Sequence, residues 1–569
     1  MADRDLPNEL TTPWRGGWGA AAPPPFCEGL SMTIAKAAVS TIRNPVLPGF
    51  HPDPSILRVG ADYYIATSTF EWYPGVRVHH STDLVDWRPL GGVLTERRLL
   101  DLTGTADSCG VWAPNLTYAN GLFHLLYTDV ATFAGGYWDP QNYLVTAPSM
   151  AGPWSDPVVL HGRGFDASLF HDEDGTTWML SMRADWRPGN NRFAGISIQR
   201  YDHRLRRLVG PEQVIFDGTD AGLTEAPNIY RKDGWYYLVT AEGGTTLTHQ
   251  VTVARSRRLL GPYTVDPAGP MLTSSGRPDL ALQKAGHGSL VETPAGEWYL
   301  AHLVARPYAP SGRCVLGRET ALQRVEWPED GWPRIRDGVP AEEVPAPAEV
   351  TAAPQQLVSA IDHFDTPALG PDWSTLRRPA TPDWVDLSAR PSYLRIQGGQ
   401  SPMARHRPSL VARRVTDTHC TFEATVEFVP RNFRQLAGIT AYYNSRNWYY
   451  LHITADDDGA PVLDVLCCDS GRVTAAPGLR TPLDVRRVGL RARLDGAALT
   501  FAYETVPGEW QELGRTFDAT TLSDEYAVTL VPGEPEAWGF TGAFVGLWVQ
   551  DLGAEGGYAD FDRAVYTTG

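Results

Sequence analysis

Aromatic and β-branched residues recur along the chain in short runs bounded by Gly, Asn or Asp turns, and helical patterns are scarce. Five runs follow their turn directly: Gly60-Ala-Asp-Tyr-Tyr64, Asn120-Gly-Leu-Phe123, Asp174-Gly-Thr-Thr-Trp178, Asp233-Gly-Trp-Tyr-Tyr237 and Gly296-Glu-Trp-Tyr299. A Gly-containing turn ahead of such a run reads as a β-hairpin. Before each hairpin stands a related tetrapeptide: Asp53-Pro-Ser-Ile56, Ala113-Pro-Asn-Leu116, Asp166-Ala-Ser-Leu169, Ala226-Pro-Asn-Ile229 and His287-Gly-Ser-Leu290. Several units share a later ending, seen in Asp83-Leu-Val-Asp-Trp87, Met150-Ala-Gly-Pro-Trp154 and Leu260-Gly-Pro-Tyr263. Five multi-stranded repeats predict an all-β chain that begins with a five-bladed β-propeller. No blade can bury both faces alone, so the ring must close on itself.

In a propeller the first strand of each blade lines the central channel. Asp53, Ala113, Asp166, Ala226 and His287 should therefore ring one end of the axis, with Trp112 and Glu225 one residue earlier beside the same mouth. Pro52 and Pro54 flank Asp53 and predict a stiff, extended backbone there. A turn aspartate would account for Asp53 alone. It does not account for acids at matching points in three blades.

The Pro-, Ala- and Glu-rich run from Val339 to Pro354 reads as a linker. Beyond Ile361, alternating runs such as Thr421-Phe-Glu-Ala-Thr-Val-Glu-Phe428 and Trp448-Tyr-Tyr-Leu-His-Ile453 predict a β-sandwich. The expected organisation is an unordered extension over 1–40, a propeller over 41–338, a linker over 339–358 and a sandwich over 359–569. Order should begin near Ile42, and Met32 could be the start.

Charge narrows the partners. The net charge of −17 opposes nucleic acid and anionic membranes and leaves neutral small molecules. No run approaches the ~18 apolar residues of a membrane span. The opening stretch has early charges at Asp3, Arg4 and Asp5 and no long apolar segment, so no secretory signal is recognised. The six cysteines (Cys27, Cys109, Cys314, Cys420, Cys467 and Cys468) form no C-x-x-C pair, which argues against a zinc site or disulfide framework. Both features predict a cytoplasmic protein. The oligomeric state, including a homo-oligomer, stays open.

Three carboxyl groups around one channel suit glycosidic bond hydrolysis. One acid protonates the leaving oxygen, one base activates water, and a third carboxylate raises the pKa of the acid. Asp53, rigid and in another blade from the others, suits the base. Glu225, with the longer reach, suits the acid, and Asp166 would orient and tune it. The abundant aromatic residues could stack on sugar rings or fill blade cores.

At these motifs the chain resembles glycoside hydrolase family 43, specifically its β-xylosidases with a C-terminal concanavalin-like sandwich, or jelly roll. The matching stretches include Asn44-Pro-Val-Leu-Pro-Gly-Phe-His-Pro-Asp-Pro-Ser-Ile56, Ser68-Thr-Phe-Glu-Trp-Tyr-Pro-Gly75, Val111-Trp-Ala-Pro114, Gly164-Phe-Asp-Ala-Ser-Leu-Phe170, Thr224-Glu-Ala-Pro227, Thr240-Ala-Glu-Gly-Gly-Thr245, Lys284-Ala-Gly-His287 and Gly317-Arg-Glu-Thr-Ala321. In the sandwich, Ala437-Gly-Ile-Thr-Ala-Tyr-Tyr-Asn444 and Phe540-Thr-Gly-Ala-Phe-Val-Gly546 match.

The resemblance implies an inverting hydrolase that releases xylose from the non-reducing end of β-1,4-xylo-oligosaccharides. It implies Asp53 as general base, Glu225 as general acid and Asp166 as pKa modulator. Phe70, Trp112, Arg318 and Thr245 match the sugar pocket, although Phe70 and Trp112 could equally fill blade core and Arg318 could be a structural ion-pair partner. No cofactor is implied for the chemistry. His287 is placed near a central site that holds Ca²⁺, through water, in some relatives. Trp186 is the candidate for a tryptophan that relatives carry after the Asp166 blade strand. Trp538-Gly539-Phe540 is the candidate for a sandwich loop pressing on the pocket. Rival readings are an α-L-arabinofuranosidase, or an enzyme with both activities acting on arabinoxylo-oligosaccharides, and a non-catalytic sugar-binding propeller.

Overall fold

The computed structural model describes residues 41–133, 136–348, 350, 360–401, 403–528 and 537–569. The N-terminal extension over 1–40 lies outside the described residues. Five antiparallel sheets, each led by one of the repeat tetrapeptides, form the blades of a propeller. Their innermost strands are Ser55–Val59, Asn115–Ala119, Ser168–His171, Glu225–Lys232 and Gln283–Glu292.

The tetrapeptides carry the reason that the ring closes. In three of them the third residue accepts a hydrogen bond from the backbone N–H of the fourth residue in another blade. Leu116 N donates to Ser55 Oγ at 3.0 Å, Leu169 N to Asn115 Oδ1 at 2.9 Å, and Ile56 N to Ser289 Oγ at 3.1 Å. The last of these joins the fifth blade back to the first. Ser168 Oγ donates to the Pro227 carbonyl, and Leu290 N donates to the Tyr230 hydroxyl at 2.8 Å, completing the circuit. All three side-chain acceptors are buried, so each bond satisfies a strand N–H that the tapering channel leaves without a ladder partner.

A second clasp joins the chain ends of the propeller. Thr41–Arg43 pairs antiparallel with Glu343–Pro345, which falls within the stretch read as a linker. Asn44 accepts from Leu322 N at 2.8 Å and donates to the Leu322 carbonyl at 2.7 Å.

From Ala360 onward the chain forms two packed antiparallel sheets, a β-sandwich. One core cluster fills the space between them, drawing Phe422, Val426, Leu451, Leu490, Phe501, Val545 and Leu547 from facing strands. The sandwich is fused to the propeller through a shared sheet. Ser374–Leu376 of the sandwich pairs with Trp72–Tyr73, a strand of the first blade unit, in the register Thr375↔Tyr73 and Leu376↔Trp72. Trp72 is fully buried and stacks on Phe544 of the sandwich, with centroids 3.9 Å apart. Gly317 (φ +73) and Gly542 mark the closest backbone approach, because a Cβ would meet the Thr541 carbonyl at 2.5 Å and the Leu316 carbonyl at 2.7 Å.

Because one sheet spans both units, they should melt as one. Trp72→Ala is expected to destabilise the protein by about 3–5 kcal/mol, since the stacked indole leaves a cavity at the junction. Urea unfolding followed separately by propeller and sandwich probes should show both transitions moving together.

Candidate active site

Asp53, Asp166 and Glu225 come from three blades and meet at one end of the channel, each at most 8% exposed. The backbone that presents them is unusual. Asp53, Asp166, Ala226 and His287, four of the five repeat-equivalent residues, have φ between 50° and 56°. The expectation that the proline frame would hold Asp53 extended is therefore corrected: Asp53 lies in the left-handed region. A non-glycine residue there costs on the order of 1–2 kcal/mol. The reason is geometric, since each inner strand must bend sharply where it reaches the mouth. The ladder is irregular at two of these places, between Glu225 and Asn228 and between Gly286 and Ser289.

Asp53 is fixed at both oxygens. Ser68 Oγ donates to Oδ2 at 2.6 Å and Arg318 Nη1 to Oδ1 at 2.7 Å. Arg318 is 3% exposed, and its Nη2 donates to the Phe540 carbonyl of the sandwich at 3.0 Å. It is thus both an ion-pair partner of Asp53 and a bridge between the domains.

Asp166 and Glu225 lie in a different field. Burial pushes Asp166 up to about 8, with the nearby Asp53 charge adding to the effect; Arg318 and a hydrogen bond from the Ala226 N–H oppose it. Burial also raises Glu225 well above the ordinary carboxylate range, helped by Asp166 and then Asp53 and opposed by Arg318. The strand carrying Glu225 is anchored by Glu242, a buried carboxylate that the sequence reading passed over although it sits in Thr240-Ala-Glu-Gly-Gly-Thr245. Glu242 accepts from Thr219 N, Thr219 Oγ1, Thr224 Oγ1 and Thr252 Oγ1 at 2.6–2.8 Å. Thr245 lies half-buried in the turn just beyond it.

Aromatic rings wall the mouth. Phe70 (φ 52) lies 6.1 Å from Trp112 and 6.1 Å from Phe540 between centroids, and Trp112 lies 4.9 Å from both Phe133 and Phe165. Phe70 and Trp112 thus join a cluster of rings beside the acids rather than a remote blade core. Phe133 and Phe165 gave no separate signal in the sequence. Trp538 stacks on Phe540 at 5.8 Å, so the Trp538-Gly539-Phe540 loop does reach the pocket wall. The buried Lys284, three residues before His287, forms an ion pair with the partly exposed Glu525 of the sandwich. Trp186, 47% exposed, packs instead against Tyr137 with centroids 4.9 Å apart.

His287 Nδ1 stands 3.8 Å from Asp53 Oδ1. Calcium takes six to eight oxygen ligands. Among the described residues no group of three or more His, Cys, Asp or Glu side chains could hold a metal ion, and Asp53 is already bound by Ser68 and Arg318. These side chains offer a calcium ion no direct carboxylate cage.

Comparison with known proteins identifies the family of both units. The family described as "Glycosyl hydrolases family 43" matches residues 42–333, and "Beta xylosidase C-terminal Concanavalin A-like domain" matches 361–567. The chain is 43% identical over 534 residues to "Xylosidase/arabinosidase 43B" of Humicola insolens, covering 92% of this chain and 97% of that protein. It is 42% identical to a "Beta-xylosidase" of Bacillus subtilis (strain 168), covering 91% and 98%. The solved structure of a xylan beta-1,4-xylosidase from Bacillus halodurans C-125 superposes with a TM-score of 0.89 at 48% identity, covering 92% of this chain and all of that one.

The raised carboxyl pKa of Asp166 has a sign that can be tested. The unfolded chain ionises this group near pH 4 and the folded protein near 8. Its stabilising contribution is complete below pH 4 and is lost as pH rises toward 8. Relative to Asp166→Asn, the parent should lose about 2–4 °C in Tm between pH 5 and pH 8. Parallel melting curves at the two pH values measure this.

Proposed function

The chain belongs to glycosyl hydrolases family 43 and is an inverting glycosidase, and on that premise we propose that it releases single xylose units from the non-reducing end of β-1,4-xylo-oligosaccharides. The observation that carries the proposal is the division of the three acids between two environments. Asp53 sits in an ion pair with Arg318, whereas Glu225 is buried beside Asp166 with no cation paired to it among the described residues.

In this reading a sugar enters the aromatic-walled mouth with its anomeric carbon between Asp53 and Glu225. Asp53, held by Ser68 and Arg318, takes a proton from a water molecule as that water attacks. Glu225 keeps its proton until the glycosidic oxygen departs, and then donates it. Burial, and the closeness of Asp166 and Asp53, keep Glu225 and Asp166 from ionising together, which favours the protonated form of Glu225, and Asp166 accepts a hydrogen bond from the Ala226 amide. Phe70, Trp112 and Phe540 offer apolar surface to the sugar faces, and Arg318 turns a guanidinium edge toward the same space. The Phe540 loop closes the site from the sandwich side, which suits a pocket for a chain end rather than an open cleft. A second reading, arabinofuranose release, is favoured by the Humicola insolens relative, whose name joins xylosidase with arabinosidase.

Asp53→Asn should lower kcat by about 10²–10⁴-fold with little change in KM, because the lost step is water activation. Glu225→Gln should lose far more activity on xylobiose than on nitrophenyl β-xyloside, whose leaving group needs less protonation. Equal losses on both substrates would remove the acid role from Glu225. Rates on nitrophenyl β-xyloside and nitrophenyl α-arabinofuranoside decide between the two sugars, and the xyloside is expected to be the better substrate.

A further inference from the structure

Beneath the Asp53 loop, where propeller and sandwich meet, two arginines and two histidines are buried together. Arg77 and His79 project from the same face of Gly75–Ser81 in the first blade. Arg414 ends Leu410–Arg414 of the sandwich, and His51 lies two residues before Asp53. Arg77 is 2% exposed, Arg414 5%, His79 6% and His51 7%. The imidazole rings meet edge to face at 4.7 Å. Both guanidiniums donate to one hydroxyl, Ser374 Oγ, at 2.8 and 3.2 Å, so the two like charges lie side by side.

Neutral groups take up part of their bonding capacity. Arg77 Nη1 donates to the Pro371 carbonyl, Arg77 Nη2 to the Trp373 carbonyl at 3.1 Å, and Arg414 Nε to the Phe50 carbonyl at 2.6 Å. Among the described residues, Asp372 is the one carboxylate whose field favours both charged guanidiniums. It is half exposed and pairs with Arg413 at 3.5 Å. Four buried nitrogens, Arg77 Nε, Arg414 Nη2, His51 Nδ1 and His79 Nδ1, have no hydrogen-bond partner among the described residues. Two adjacent buried cations without a buried anion, each with a donor to spare, are a costly arrangement as they stand.

We propose that this junction binds one small monovalent anion, chloride in kind, held by Arg77 Nε, Arg414 Nη2 and the two imidazoles in their Nδ1–H tautomers. The donor pattern selects the ligand. Oxyanions are typically gripped by two parallel N–H groups of a guanidinium fork. Here each arginine has a single nitrogen left, and the four remaining donors come from four side chains, a pattern that suits a spherical ion. Bound there, the anion neutralises charge between the blades and the sandwich and braces Phe50 and His51, which lead into Asp53.

Bromide is the probe, because it replaces chloride and scatters anomalously. Crystals of the full chain grown in sodium bromide should show an anomalous peak in contact with these four nitrogens. In sodium gluconate, exchange to chloride at constant ionic strength should raise Tm by about 1–4 °C and saturate. The rise should vanish in Arg77→Met or, should that chain fail to fold, weaken in His79→Leu, which keeps both arginines. No bromide peak at these nitrogens, or a Tm that follows ionic strength alone whichever anion is present, overturns the proposal.

Discussion

One hydrogen bond, repeated around a ring, underlies the whole site. A Ser or Asn at the third place of a tetrapeptide accepts the strand N–H of another blade, and Ser289 receiving Ile56 N joins the last blade to the first. These bonds hold the inner strands close enough that residues more than 170 positions apart in the chain, such as Asp53 and Glu225, share one electrostatic field. The same closeness forces the left-handed backbone at the mouth. The energetic cost of presenting the acids is thus spread over a closed ring of buried bonds, which no single blade could supply.

The sandwich is part of the site rather than an appendage. Its Phe540 carbonyl orients Arg318, which orients Asp53. Its Glu525 neutralises Lys284 beside the fifth tetrapeptide, and Arg377 pairs with Asp107 at 2.6 Å behind the Phe70 wall. Arg377 also faces Glu71, the residue next to Phe70, whose carboxyl burial raises to about 7. A sheet shared through Trp72–Tyr73 keeps these contacts in register. Displacement of the second domain would therefore reach the Asp53 carboxylate through two hydrogen bonds.

Much of this was legible in the sequence because repetition is legible. The tetrapeptides marked the blades, the axial positions, Asp53 and Asp166, with Glu225 one residue before the fourth, and the Pro/Ala run together with strand alternation pointed to the second all-β unit. The conformation of Asp53 was not legible: local rules for a residue before proline favour extended backbone, while the bend of the inner strand at the mouth, shared by four of the five blades, gives φ 56°. Glu242 and Ser68 lay inside quoted motifs, but their role appears only when the partners, Thr219, Thr224 and Thr252 for one and Asp53 for the other, are brought alongside. Trp186 shows a position that the sequence leaves open: the strand order places it after the Asp166 blade strand, and only the folded loop shows its exposed contact with Tyr137.

The central claim is that ring closure buries Glu225 beside Asp166 deeply enough to keep its carboxyl protonated at neutral pH. Infrared difference spectra between the parent and Glu225→Gln at pH 7 test it most directly. Loss of a protonated-carboxyl band in the variant is the predicted result. Loss of a carboxylate band instead would show Glu225 ionised and would contradict the account.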